Sequence, residues 1–156
     1  MTHEDYMKEA FKEAFQGMRN NEGGPFGAVV VINGTIVGRG HNRVTSTNDP
    51  TAHAEVVAIR NACQALGVFH LPEATIYATS EPCPMCLSAI YWTNIKNVFY
   101  CTDKFQVEKI GFSDKFIYDE FALPKENRSI HIDKIDLSEG IDLFYEWMTK
   151  IDKTNY

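Results

Sequence analysis

The stretch that most constrains the fold lies between positions 74 and 102. Residues 74–79 form a strand-like run, Pro82 opens a helical stretch that reaches about Trp92, and residues 97–102 are strand-like again. A hairpin return needs only a tight turn, whereas two strands joined through a helix predict a parallel βαβ unit. Parallel strands are covered by helices on both faces, so the chain is expected to be α/β.

The other elements fit around that unit. Thr2 with Asp5 makes a capping-box pattern, and Tyr6, Met7, Ala10, Phe11, Ala14, Phe15 and Met18 recur at helical spacing, which predicts a first amphipathic helix. Gly23, Gly24 and Pro25 break it. Residues 26–32 then read as a buried strand, Asn33-Gly34 as a two-residue hairpin turn and residues 35–39 as the antiparallel return. After a polar loop over 41–48, Asp49 is expected to cap a second helix with Pro50 at its first position. Val56, Ile59, Cys63 and Leu66 form its apolar stripe and Gly67 stops it. Beyond Thr102 the spacing predicts a helix to about 110, a short helix over 116–121, a strand over 129–135 and a last helix over 138–151. No repeat or shift in composition divides the 156 residues, so a single domain over 1–156 is expected.

Fifteen Lys and Arg stand against twenty-one Asp and Glu, a net charge of -6. That balance is not built to neutralise many phosphates, so a nucleic-acid partner is disfavoured and a small substrate expected. The longest apolar run, residues 26–32, is too short to cross a bilayer, and the first twenty residues lack a signal-peptide core. A cytoplasmic protein with no membrane association is expected. In a reducing compartment its four cysteines, Cys63, Cys83, Cys86 and Cys101, would pack, bind metal or react instead of forming a disulfide frame.

Pro82-Cys83-Pro84-Met85-Cys86 sets two thiols at a helix start, where the dipole and the free amides favour thiolate and hence metal or redox chemistry. His53-Ala54-Glu55, upstream and also expected at a helix start, adds a third ligand and a carboxylate. One His and two Cys leave a fourth position open, the pattern of a catalytic zinc. Glu55 would then hold and relay the proton of a water acidified by the metal. Two other readings of the residues stay open. The Cys-x-x-Cys pair is also that of a redox dithiol, which gives His53 and Glu55 no task, and a structural zinc site would need a fourth ligand. Cys63 on a helix stripe and Cys101 in a strand are expected in the core. His3, His70 and His131 read as surface residues, and His41 stands out only by its place beside the loop into the second helix.

From Gly24-Pro25-Phe26-Gly27-Ala28 through Asp49-Pro50-Thr51-Ala52-His53-Ala54-Glu55 to Glu81-Pro82-Cys83-Pro84-Met85-Cys86, the chain resembles the cytidine deaminase-like superfamily along most of its length. His-x-Glu followed by Pro-Cys-x-x-Cys is the signature of its zinc nucleobase deaminases. The resemblance implies a three-layer α/β/α sandwich with a five-stranded mixed sheet. It also implies one Zn2+ per subunit on His53, Cys83 and Cys86, Glu55 as proton shuttle, and a homodimer.

Three branches of the superfamily compete: tRNA adenosine deaminases, fungal-type cytosine deaminases and short bacterial guanine deaminases. Residues 86–92, residues 111–118 and the terminal Tyr156 are similar to the guanine branch, and the acidic balance speaks against tRNA. Guanosine is a further alternative substrate. This likeness implies hydrolysis of guanine to xanthine and ammonia in purine salvage or catabolism. It further implies that Asn42 hydrogen-bonds the purine, Phe26 packs against it and the Ala54 amide meets its carbonyl oxygen. Asp114 would be a second catalytic carboxylate near the C2 amino group, and Trp92 and Tyr156 would close the pocket.

Overall fold

Strand β1 (Gly27–Ile32) is the hub of the molecule, in a computed structural model that describes residues Met1–Tyr156. It lies between β2 (Thr35–His41) and β3 (Thr75–Ser80), antiparallel to both, and β4 (Asn97–Thr102) joins β3 in parallel to give the order β2-β1-β3-β4. Ala28, Val29 and Val30 are fully buried because helices cover both faces of this strand. Ala28 and Val30 pack with Ile76 and Ala78 against α3 (Ala54–Leu66) and Ile90 of α4 (Pro84–Trp92). Val29, Val31 and Tyr77 pack on the opposite side with Tyr6 and Ala10 of α1 (His3–Arg19). The alternation of strand side chains thus divides the core into two layers.

Local signals account for most of these elements. Thr2 and Asp5 form the capping box that starts α1. Asn33 and Gly34 both have positive φ, 48° and 79°, the backbone of the hairpin turn favoured by strand twist. The parallel unit β3-α4-β4 forms as its spacing predicts, with Pro84 in the first turn of α4. Gly40 in β2 lets α3 lie directly on the sheet, since a Cβ there would stand 2.5 Å from Ala54 O and from Ala58 N. This close approach seats the first turns of α3 on the sheet.

Several expectations are corrected. The second long helix starts at Ala54, not after Asp49, because the Asp49 carboxylate is taken up by Thr51 N (2.8 Å) and Thr51 Oγ1 (2.6 Å) in a local turn. One helical turn, α2 (Val44–Thr47), lies inside the polar loop and ends at Asn48 in the left-handed region. The sheet has four strands, not five: residues 131–137 are neither helix nor strand, because an alternating sequence becomes a strand only where an edge pairs with it. Cys101 is exposed instead of buried, since β4 is an edge strand that is mostly uncovered.

After β4 come α5 (Lys104–Lys109), started by an Asp103–Gln106 capping box, and α6 (Asp114–Ala122). By packing, the chain divides into Met1–Asp119 and Glu120–Tyr156. Within the second unit Ser129 N and Oγ donate to the Glu120 carboxylate, and Arg128 Nε donates to Glu120 O. Its helix α7 (Glu139–Thr149) exposes Ile141, Leu143, Phe144 and Met148. No helix of the chain is long and apolar enough to cross a membrane.

Candidate active site

His53 and Cys83 are the N-cap residues of α3 and α4, so the two helix starts bring the histidine and both cysteines together. Cys83 Sγ and Cys86 Sγ each lie 3.5 Å from His53 Nδ1, and the three ligand atoms fall within 4.8 Å of one another. A tetrahedral zinc with bonds of about 2.3 Å to sulfur and about 2.0–2.1 Å to nitrogen sets such atoms about 3.5 Å apart. The residues therefore fit the metal in donor type and in spacing. No fourth His, Cys or carboxylate ligand joins the cluster, which leaves one position for water or substrate.

The proton inventory of the metal-free cluster follows from the same geometry. Hydrogen bonding from the Cys86 thiol, aided by His53 and the Cys86 amide, holds Cys83 below the ordinary thiol range. Cys86, which keeps the shared proton, is pushed up by its bond to Cys83 and by burial. The bond to Cys83 raises His53. A metal bound here displaces these protons.

Glu55, in the first turn of α3, is 8% exposed, and its Oε2 lies 3.3 Å from Cys86 Sγ. Burial pushes its carboxyl up to about 7, and the negative charge of Cys83 acts in the same direction. Asp114, at the start of α6, is also raised, chiefly by desolvation and then by the charge of Cys83.

These groups line one cavity of about 610 Å³. His53, Glu55, Cys83 and Asp114 contribute its reactive groups, and Phe26 and Phe112, packed edge to face with centroids 4.8 Å apart, contribute aromatic surface. Asn42, 5% exposed, accepts from Gly24 N (3.3 Å) and Val44 N (3.1 Å) through Oδ1. Those two donors orient the amide, leaving the Nδ2 hydrogens as what Asn42 can offer a ligand.

The expected site residues are not all gathered here. Ala54 is buried at the first position of α3 and is not on the cavity wall. Trp92 ends α4 at 68% exposure and does not line the cavity. Tyr156, in the second unit, is 77% exposed. Sequence reasoning missed Phe112, Ser80 and Glu81, all on the wall. Glu81 accepts from Lys104 N at 2.9 Å. Its place directly before Pro82-Cys83 was the available signal.

A His/Cys/Cys metal centre with a buried carboxylate, carried on the starts of two helices packed on one face of a mixed sheet, defines a class. The chain belongs to the family of the cytidine and deoxycytidylate deaminase zinc-binding region, whose model it matches over residues 1–102. It is 46% identical to guanine deaminase of Bacillus subtilis (strain 168) over 156 residues, covering 100% of both chains. An X-ray structure of guanine deaminase from Bacillus subtilis matches with a TM-score of 0.96, covering 100% of this chain and 99% of that one. A tRNA-specific adenosine deaminase of Bacillus subtilis is also 46% identical, but over 101 residues, 64% of this chain and 62% of that protein. Guanine deaminase from Nitrosomonas europaea matches at TM-score 0.69 and 27% identity, over 72% of this chain and 65% of that one.

Proposed function

We propose that the chain is a zinc-dependent aminohydrolase that converts guanine and water into xanthine and ammonia, in the service of purine salvage or catabolism. One observation carries the choice of guanine: identity to guanine deaminase is 46% over the full length, whereas tRNA-specific adenosine deaminases reach 46% over only 101 residues, in Bacillus subtilis, or 34% over 151 residues, in Aquifex aeolicus. The net charge of -6 favours a small base over a polynucleotide in the same way.

His53 Nδ1, Cys83 Sγ and Cys86 Sγ would hold the zinc. Bound there, the metal supplies a Lewis acid that acidifies a water. Glu55 takes the proton of the attacking water on its carboxylate and delivers it to a ring nitrogen as oxygen bonds to C2. Glu55 then takes the remaining proton from the new C2 hydroxyl and passes it to the amine, the C2–N bond breaks as C2=O forms, and ammonia leaves. Asp114 stands for the amino group at C2, the Asn42 Nδ2 hydrogens for a purine acceptor, the Ala54 amide for the carbonyl oxygen, and Phe26 for the ring face. Phe112 adds a second aromatic edge to that face.

The whole chain over 1–156 works as one deaminase domain in this reading, as a cytoplasmic homodimer. Support for association comes from the second unit, where Ile135 is 82% exposed and Ile141, Leu143 and Phe144 are all above half. Apolar surface in that amount marks an interface. Trp92 and Tyr156 present aromatic faces of the kind that cover a flat base, and are assigned to closing the pocket in the assembled enzyme.

The test is ammonia release by zinc-assayed protein against guanine, guanosine, adenine, cytosine and a tRNA anticodon stem-loop in parallel. Turnover of guanine alone is expected. Zinc with turnover of another base alone would keep the reaction class and discard guanine; protein without zinc or turnover would return the Cys83–Cys86 pair to redox chemistry.

A further inference from the structure

His41, at the end of β2, is a partly buried ionisable side chain to which the deamination scheme gives no task. Its ring is 14% exposed and lies under α1, where Gly17 leaves room for it: a Cβ at that glycine would stand 2.4 Å from the imidazole. Nδ1 is 3.1 Å from Glu13 Oε2 on α1, and Nε2 is bonded to Glu22 Oε2 in the turn that follows α1. Through its two ring nitrogens His41 thus joins a residue of α1 to a residue of the turn that follows it. Arg39 Nη1, 2.8 Å from Glu9 and 3.9 Å from Glu13, is the neighbouring cation, so Glu13 is faced by Arg39 and His41 together.

Glu22 carries this anchorage to the cavity. Its N–H donates to Gly17 O, and its carbonyl accepts from Ser46 N and Thr45 Oγ1. Two residues on, Gly24 N donates to Asn42 Oδ1, and Asn42 N donates to Phe26 O. The turn after α1 and the loop after β2 are therefore laced together, and they supply Gly23, Gly24, Phe26, Asn42, Val44 and Thr45 to the cavity wall.

We propose that His41 is a positioning residue, a two-sided clamp that locks the turn bearing Gly24 and Phe26 to α1 and so sets the Asn42 amide for substrate. It governs affinity and leaves the chemical step alone. Its effect on affinity rests on the guanine reading above; its effect on the loop does not.

The test compares the zinc-loaded wild type with His41→Gln, Glu22→Gln and the double variant. Glu22 is on a partly exposed turn, so its variant keeps the test available if His41→Gln folds poorly. Each single variant is expected to raise KM for guanine about 5–10-fold with kcat within about twofold and zinc content unchanged, and the double variant to be no worse than either single, as for one shared interaction. In ligand-free protein, amide hydrogen exchange at Gly24 and Val44 should quicken about tenfold or more in the variants while amides in the middle of α3 keep their rates. Unchanged exchange at those two amides, an unchanged KM, or a fall of kcat in step with zinc content would overturn the clamp. A wild type inactive on guanine would overturn the functional reading, and the exchange rates would still decide the clamp.

Discussion

Glu55 Oε2 and Cys86 Sγ lie 3.3 Å apart, although one residue is in the first turn of α3 and the other in the first turn of α4. The carboxylate is thus held beside the metal centre by the packing of two helices on one sheet face, without being a member of the His53–Cys83–Cys86 ligand set.

Glu55→Gln is therefore expected to bind zinc as the wild type does and to lose about 10²–10⁴-fold in kcat, the usual worth of a positioned proton carrier. Metal analysis beside steady-state kinetics measures both. A variant with more than about a tenth of the wild-type rate would remove Glu55 from the proton path.

Metal removal exposes a second property of the same residue. In the native metal-free chain the carboxyl titrates at about 7, against an ordinary value of 4.5. The folded state holds that proton more tightly than the unfolded state, so its stabilising contribution is complete below 4.5 and lost as pH rises through about 7. Glu55→Gln cannot lose the proton. After chelation it should exceed the wild type in stability by up to about 3 kcal/mol near pH 8, with the gap closing toward pH 5. Urea unfolding at both pH values reads the difference; equal stability near pH 8 would mean that the carboxylate is not desolvated.

Asn42 separates two jobs that one substitution would confuse. Asn42→Asp keeps acceptors for Gly24 N and Val44 N but removes the Nδ2 donor, and should raise KM for guanine about 10–100-fold, the worth of a lost buried hydrogen bond. Asn42→Ala also leaves the two loop amides unpaired, so it should show a lower Tm in addition. Matching KM values for wild type and Asn42→Asp would take the donor out of substrate binding.

Gly40→Ala tests the seat of the site. The new methyl meets α3 backbone atoms at 2.5 Å, and backbone cannot rotate away as a side chain can. A loss of about 1–3 kcal/mol is expected in denaturant unfolding. Weakened zinc retention should accompany it, because His53 and Glu55 ride on the end of α3 that would be displaced. A wild-type midpoint would show that the helix has slack at this crossing.

What is legible in the sequence is what local chemistry decides. Asn33-Gly34 dictates its turn through its own backbone, and the helix between β3 and β4 forces their parallel pairing. His53, Glu55, Cys83 and Cys86 are legible for a related reason: metal chemistry needs fixed residue types at fixed spacing, and two helix starts supply it. The start of α3 is not legible, because Asp49-Pro50 satisfies the rules for opening a helix while Thr51 captures the Asp49 carboxylate. The strand expected over 129–135 fails because alternation describes one face and names no partner edge. Phe112 and Glu81 reach the cavity wall through tertiary packing, which no spacing rule reports.

The cavity wall and the zinc ligands all belong to Met1–Asp119. Order in the chain is also order in time. At about 5–20 residues per second, synthesis of Glu120–Tyr156 takes a few seconds after the last of these residues has been added. The nascent polypeptide thus holds every one of these residues before Glu120–Tyr156 has been made.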